Sequence, residues 1–529
     1  FWKASNTVET KPVSYHRLTY RRGAIYSSQF ATDGQTIIYS ASFDGKERQL
    51  YQTRTGRAES NPLGVSNADV LSVSKTGEML ILIRKDKNVL ARVPITGGVP
   101  RELAEDIFGA DWAPDGDQMA VSRLKHGRWY LEFPEGKVLY DTASMIEYVR
   151  FSPKGDLIAF DEHGVGGSNG VIKIVDLQGK QIAVSPEFYP NRIAWNSIGT
   201  EVWFTSLSQE AGGGDELHAL SITGAHRIVT RLTSARLDDI SADGRLLIIV
   251  YDLRGSLMAA TDGNPEVELS WLDQPQVADI SPDGKTVLMW ERGAGSESPS
   301  GTIFIRNIDG SPAVRLAGGA AISLTGDGKW VLGNVGSNQL LLVPVGPGNI
   351  RTFEFADLKN TYAIGLLPAD HTILFSALDQ NQQSRIYRLN PTNGKPNAIT
   401  EAGAFSTDGK TVSPDGKFVV GRDSNRNVQL YPIAEGKPKA VPGIQPREEV
   451  AQWSQDGSSL YVFTPNAFPL RVYRVNVVTG ARELFKEIVP PDPVGITEFG
   501  SVRFGSDEKT YAYSFVRAVG TLYLLDGVK

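Results

Sequence analysis

The chain has no cysteine among its 529 residues. That absence removes disulfides, thiolate-ligated zinc and thiol nucleophiles together, yet it does not fix the compartment, because a large repeat core needs no staples. No apolar run approaches the roughly 20 residues of a membrane-spanning helix. Positive charge is not in excess either. Against 60 Asp and Glu stand 54 Lys and Arg, a formal charge of −6, so the electrostatic footprint of a nucleic-acid binder is missing. Also absent are a Gly-x-x-x-x-Gly-Lys phosphate loop, a kinase catalytic loop, a His-x-x-x-His pair and an Asp-rich calcium loop.

Turns, by contrast, are plentiful. The 54 Gly and 29 Pro are spread between short apolar runs, and 41% hydrophobic with 22% charged residues is the composition of a folded globular chain. The stretch Val277–Trp290 shows the unit: an apolar run, the turn Ser281-Pro-Asp-Gly284, and a second apolar run. Pro presets φ at the second turn position and Asp and Gly tolerate the reversal, so the stretch reads as a β-hairpin. The string recurs at Ser413–Lys417, with degenerate copies starting at Ala113, Ser152, Ser241 and Ser454 and weaker ones at Ala31, Ser74, Asn196, Thr325, Pro368 and Gly505. These twelve turns lie 39 to 51 residues apart, the period of a blade-type repeat.

A true repeat keeps its buried positions where the turn residues have drifted. The residue before each turn is apolar throughout, from Phe30 and Val73 to Trp453 and Phe504, and the position three residues after each turn is apolar from Ile37 to Tyr511. The next position, from Ile38 to Ala512, is apolar as well, which predicts a second strand buried on both faces. A third strand, a Gly-containing turn and a short fourth strand complete the plan, as in Val171–Leu177, Gln178-Gly179 and Gln181–Val184. Four short antiparallel strands per repeat make the blade of a β-propeller.

The expected fold is therefore all-β: about twelve four-stranded blades arranged as two six-bladed rings, since a single ring of twelve exceeds the usual four to eight. Residues 1–13 read as a linker, 14–265 as the first propeller and 266–529 as the second, although a seven-plus-five split or a nested arrangement fits the same counts. The segment 14–20 is strand-like but has no turn of its own, and the last repeat stops without a fourth strand. The first is expected to complete the second and so close the second propeller.

No catalytic, cofactor-binding or metal-ligating residue is assigned, and no cofactor is expected. Gly166-Gly-Ser-Asn-Gly170 matches the hydrolase elbow string, but that elbow needs a helix after it and a strand, Val171–Val175, follows here. The six histidines, at 16, 126, 163, 218, 226 and 371, read as scattered loop or surface residues. Arg123, Lys125, His126 and Arg128 read as a solvated loop, and Ala211–Asp215 and Gly293–Ser298 as long loops at a ring face.

The hairpins resemble TolB-like, WD40-type propeller repeats over nearly the whole chain. Strings such as Arg17-Leu-Thr-Tyr-Arg-Arg-Gly23, Phe30–Tyr39, Ala91–Gly98, Leu131–Tyr140, Leu269-Ser-Trp-Leu-Asp273 and Asp309–Leu316 resemble the extracytoplasmic region of bacterial eukaryotic-type serine/threonine kinases. Similar regions follow a membrane helix in some winged-helix regulators. The resemblance implies a periplasmic or extracellular sensor or protein-interaction module, with the kinase or DNA-binding part upstream. It implies no ligand residues, because the matching strings are blade scaffold. The start at Phe1-Trp2-Lys3 fits a fragment or processed product whose contact with a membrane comes only through a segment preceding Phe1. Two rivals stay open: a propeller hydrolase or lyase with its site in a central channel, and a self-associating scaffold. The protein or small-molecule ligand is not named by the sequence.

Overall fold

A computed structural model describes residues 13–528, apart from residues 86, 126, 164–169, 189, 208–214, 294, 295, 297, 299, 337, 393 and 408. Every regular element among the described residues is a β-strand, and no described helix is long and apolar enough to cross a membrane. Ten separate four-stranded antiparallel sheets follow one another, each pairing its strands in chain order, and one further sheet has six strands. This is the all-β, propeller-like plan that the turn period predicts.

The local reasons are those of the repeat. In the turn at Ser281, the hydroxyl donates to Asp283 Oδ1 (2.6 Å) and accepts from Thr286 N (2.9 Å). Gly284 takes φ of +70° to complete the reversal. The strand that follows enters the core on both faces: Ile37 and Ile38, Leu80 and Ile81, Val287 and Leu288, and Val419 and Val420 are all fully buried.

The last turn position is left-handed at all twelve hairpins. It is Gly at ten of them but His371 (φ +57°) and Glu508 (φ +56°) at the other two. A side chain there clashes with its own backbone, so His371→Gly is expected to stabilise its unit by about 0.5–1 kcal/mol, as a rise in the urea midpoint without a change in slope.

The chain divides into two units. In the first, each sheet is tied to the next by a hydrogen bond that involves a side chain, and the series closes on itself. Val70 N donates to Ser27 Oγ, Trp112 N to Ser72 Oγ, Phe151 N to Asp111 Oδ2 and Trp195 Nε1 to the Arg150 carbonyl. Leu237 N then donates to Thr205 Oγ1, and Phe30 N to Asp239 Oδ2. In the second unit the same circuit runs through Asp279 to Leu324, Asn334 to Ala363, Ser376 to Ser406, Thr411 to Trp453, Gln452 to Phe504 and Ser501 back to Val277. Each unit is thus a closed ring of six blades. Asp111, Asp239, Asp279 and Gln452 all stand immediately before the apolar pre-turn residue, a polar column inside the repeat that the sequence reading passed over.

The division of the chain differs from the expected break at 265/266. The first unit comprises 1–253, 492–495 and 518–529, and the second 254–491 and 496–517. The cause lies in two strands too long for one blade, Leu246–Ala260 and Tyr511–Asp526, each of which is split between the units. In the first unit the last blade takes its third strand from the end of the chain and its fourth from Ser14–Arg17, which pairs Ser14 with Asp526 and Arg17 with Tyr523. The N-terminal strand therefore belongs to the first ring, not to the second as expected. In the second unit the matching blade is completed by residues up to Ala260 and by Val267–Glu268.

Candidate functional site at the inner strands of the first unit

The first strand of each sheet of the first ring carries a β-bulge within six residues of its turn, between Ile25 and Ser27, Val70 and Ser72, Ile107 and Gly109, Glu147 and Arg150, Asn191 and Ile193, and Leu237 and Asp239. A bulge inserts an unpaired residue and re-aims the side chains around it. Here it turns charged groups of several blades toward one another. Arg236 Nε donates to Asp238 Oδ1 (2.7 Å), and Arg192 Nε lies 3.3 Å from the same oxygen. Both guanidiniums also donate to the Tyr26 carbonyl, at 2.9 and 2.7 Å. Asp238 is completely buried and accepts in addition from Ser28 Oγ (2.8 Å).

A second knot sits beside it. Arg48 Nη1 donates to both oxygens of Asp69 (2.7 and 2.9 Å), Arg84 Nε to Oδ2 (2.9 Å) and Ser40 Oγ to Oδ1 (2.9 Å), while the Arg48 guanidinium stacks on the Tyr26 ring at 3.5 Å. Burial alone would raise the Asp69 carboxyl, but Arg48, Arg84 and Ser40 hold it well below its ordinary value. A lowered carboxylate contributes stability above its unfolded value, near 3.8, and loses it as pH falls through the folded value. Asp69→Asn is therefore expected to cost the first unit about 1–3 kcal/mol at neutral pH, less than a fully buried pair because Arg84 is part exposed. The same variant should flatten the unit's stability below pH 4, read by acid titration of the melting temperature.

On the blade between these knots, Glu147, Asp161 and His163 come together. The ladder pairs Met145 with His163 and Glu147 with Asp161, so the three side chains share one face of the sheet. Asp161 Oδ1 accepts from Glu147 N (3.0 Å), and Oδ2 lies 2.9 Å from His163 Nδ1. One potential ligand atom from each residue lies within 4.8 Å of the other two. Burial, then the facing Asp161 carboxylate, pushes Glu147 up to about 7; burial also raises Asp161, and the bond to Asp161 raises His163. No metal set was expected from the sequence, and this is the grouping that could hold one.

Of the remaining histidines, His218 and its partner His226 correct the surface reading. His218 is buried, with Nδ1 3.0 Å from His226 Nε2 and its ring stacked on Phe204. Among the described residues its Nε2 has no hydrogen-bond partner, and it faces Glu216 at 3.5 Å. Burial lowers both imidazoles. His16 is exposed on the N-terminal strand, and His371 sits in a turn. The cluster at Arg123 is not a solvated loop. Arg123 and Lys125 lie on Met119–Lys125 and flank the fully buried Glu132, Lys125 Nζ at 2.8 Å, and Arg128 pairs with Asp141. The pairing explains why a run of positive charge can sit on a strand: each cation has an acid on the adjacent strand. His126, the elbow string from Gly166 to Asn169, Ala211–Gly214, much of Gly293–Ser298 and the linker up to Pro12 lie outside the described residues.

No family model matches the chain, and no curated protein matches it. Among solved structures, the crystal structure of the tricorn protease is similar, with 14% identity over 94% of this chain and a TM-score of 0.31. The match spans 58% of that protein's length. At that overlap the fold rests on the strand pairing described above.

Proposed function

We propose that this chain is a non-catalytic recognition module, an extracytoplasmic sensor or protein-interaction domain of a membrane-anchored signalling protein. One observation carries the reading. The buried charges that converge on the inner strands of the first ring, Arg48, Arg192 and Arg236 with Asp69 and Asp238, bind one another and a main-chain carbonyl, and so lock blades together. A catalytic set needs a nucleophile held by a base and the base held by a third group. The Ser14 Oγ to His16 Nε2 contact, 3.2 Å, is exposed, and among the described residues no carboxylate bonds that imidazole. The extracytoplasmic placement rests on the strings shared with bacterial kinase sensor regions.

Because the region has no native cysteine, one introduced thiol tests the placement directly. Val99 is 93% exposed. In cells making the natural full-length protein, Val99→Cys is expected to react with a membrane-impermeant maleimide before the cytoplasmic membrane is broken. Labelling only after lysis contradicts the reading. A second reading, a hydrolase or lyase, is favoured by the Glu147, Asp161 and His163 grouping, and turnover of any ligand found to bind would select it.

A further inference from the structure

The two carboxylates of Glu147 and Asp161 face each other across a β-ladder, an arrangement that costs stability when both are charged. Asp161 is only 1% exposed, and among the described residues no hydrogen-bond donor reaches the Glu147 carboxylate. The nearest guanidiniums, Arg84 and Arg192, act on Glu147 only through space. Their own bonds go to Asp69, to Asp238 and to the Tyr26 carbonyl. The group that stands against the two acids is the His163 imidazole, its Nδ1 2.9 Å from Asp161 Oδ2. The third member is an imidazole, whose presence changes the chemistry from a hard oxygen cage to a mixed nitrogen and oxygen set.

We propose that Glu147, Asp161 and His163 bind a first-row transition dication of the zinc or manganese class. Three protein ligands of this kind leave coordination positions open for water or a small anionic ligand, unlike a closed structural site. The geometry is already close. Two ligands of one ion with bonds of 2.0–2.1 Å stand about 3.3 Å apart at tetrahedral angles, and the Asp161 and His163 atoms are 2.9 Å apart. Binding exchanges the proton between them for the ion, and Glu147, with a ligand atom within 4.8 Å of both, closes on it. The inference is independent of the sensor reading: the ion could be what is sensed or what supports a further ligand.

The test uses the full chain, stripped with chelator and titrated with Co2+ alone, followed by its visible absorption and by competition with Zn2+. The expected result is stoichiometric uptake with ligand-field bands of a low-coordinate nitrogen and oxygen site, and a rise in the melting temperature of the first unit with Zn2+. Glu147→Gln and His163→Gln are each expected to weaken binding by more than the ~10–100-fold that loss of an outer hydrogen-bond partner costs. His218→Gln is expected to bind as the parent does. Glu147→Gln should also raise the metal-free melting temperature, since it removes the like-charge contact, which separates loss of a ligand from loss of the fold. Absence of cobalt uptake by the parent at millimolar metal, or binding that survives in both ligand variants, overturns the proposal while leaving the recognition reading standing.

Discussion

Removing residues 518–529 is expected to abolish the melting transition of the first unit while that of the second persists in calorimetry. The deleted segment is the third strand of the first ring's last blade, and without it Ser14–Arg17 has no partner. Leu522, Leu524 and Leu525 are buried there, packed with Leu18, Ile25, Leu247 and Ile249 on one face and with Leu237 and Ile248 on the other. Burying each leucine is worth about 1.5–3 kcal/mol. Three of them, about 5–9 kcal/mol, match the whole stability of a typical domain, about 5–15 kcal/mol. The second unit contains none of the deleted residues. Retention of a normal first transition by the truncated chain would mean that the ring closes in another way.

The next largest effect is expected at Asp238→Ala. The carboxylate has no exposure and holds Arg236 and Arg192, themselves nearly buried, together with Ser28 of the first blade. Truncation leaves two guanidiniums without a counter-charge in a place water does not reach, which costs about 3–5 kcal/mol. Asp238→Asn keeps the shape and an acceptor and is expected to lose less. Urea unfolding of the two variants beside the parent measures the order, and a cost below about 1 kcal/mol for the alanine variant would show that the network is peripheral to closure.

Much of the fold is legible in the sequence because each turn combines two constraints that survive drift: a residue able to take positive φ and apolar positions on both sides of the next strand. The exchange of strands is not legible. Asp252-Leu-Arg-Gly255 and Arg517-Ala-Val-Gly520 look like loops between a second and a third strand, yet both are extended. Their glycines serve close approach. A Cβ on Gly255 would meet Gln274 Cα and Pro275 Cδ at 2.9 Å, and one on Gly520 would meet Ile25 and Ile249 at 3.2–3.3 Å. A strand also has the same alternation whether its partner is the next segment or one far along the chain.

The site was hidden by register. Counting outward from the turn at Ser152 through Phe151 with Ile158 and Arg150 with Ala159, an unbroken hairpin sets Glu147 opposite Glu162, with Asp161 on the other face. The bulge at Tyr148, which takes φ of +47°, shifts the pairing by one residue and places Glu147 opposite Asp161. Composition does not announce a bulge. The column of Asp and Gln before the pre-turn residue could have been seen, since Asp111, Asp239 and Asp279 recur there, and it would have pointed to the ties between blades.

The most direct test of the double-ring architecture is a cross-link between the chain's two terminal strands. Ser14 and Asp526 face each other in the antiparallel pair, where Cα atoms stand about 4.5–5.5 Å apart, within disulfide reach. With no native cysteine to compete, Ser14→Cys with Asp526→Cys should oxidise in full to an intramolecular disulfide, visible as faster migration without reductant. Two thiols that stay free under the same oxidation would contradict closure of the first ring by the ends of the chain.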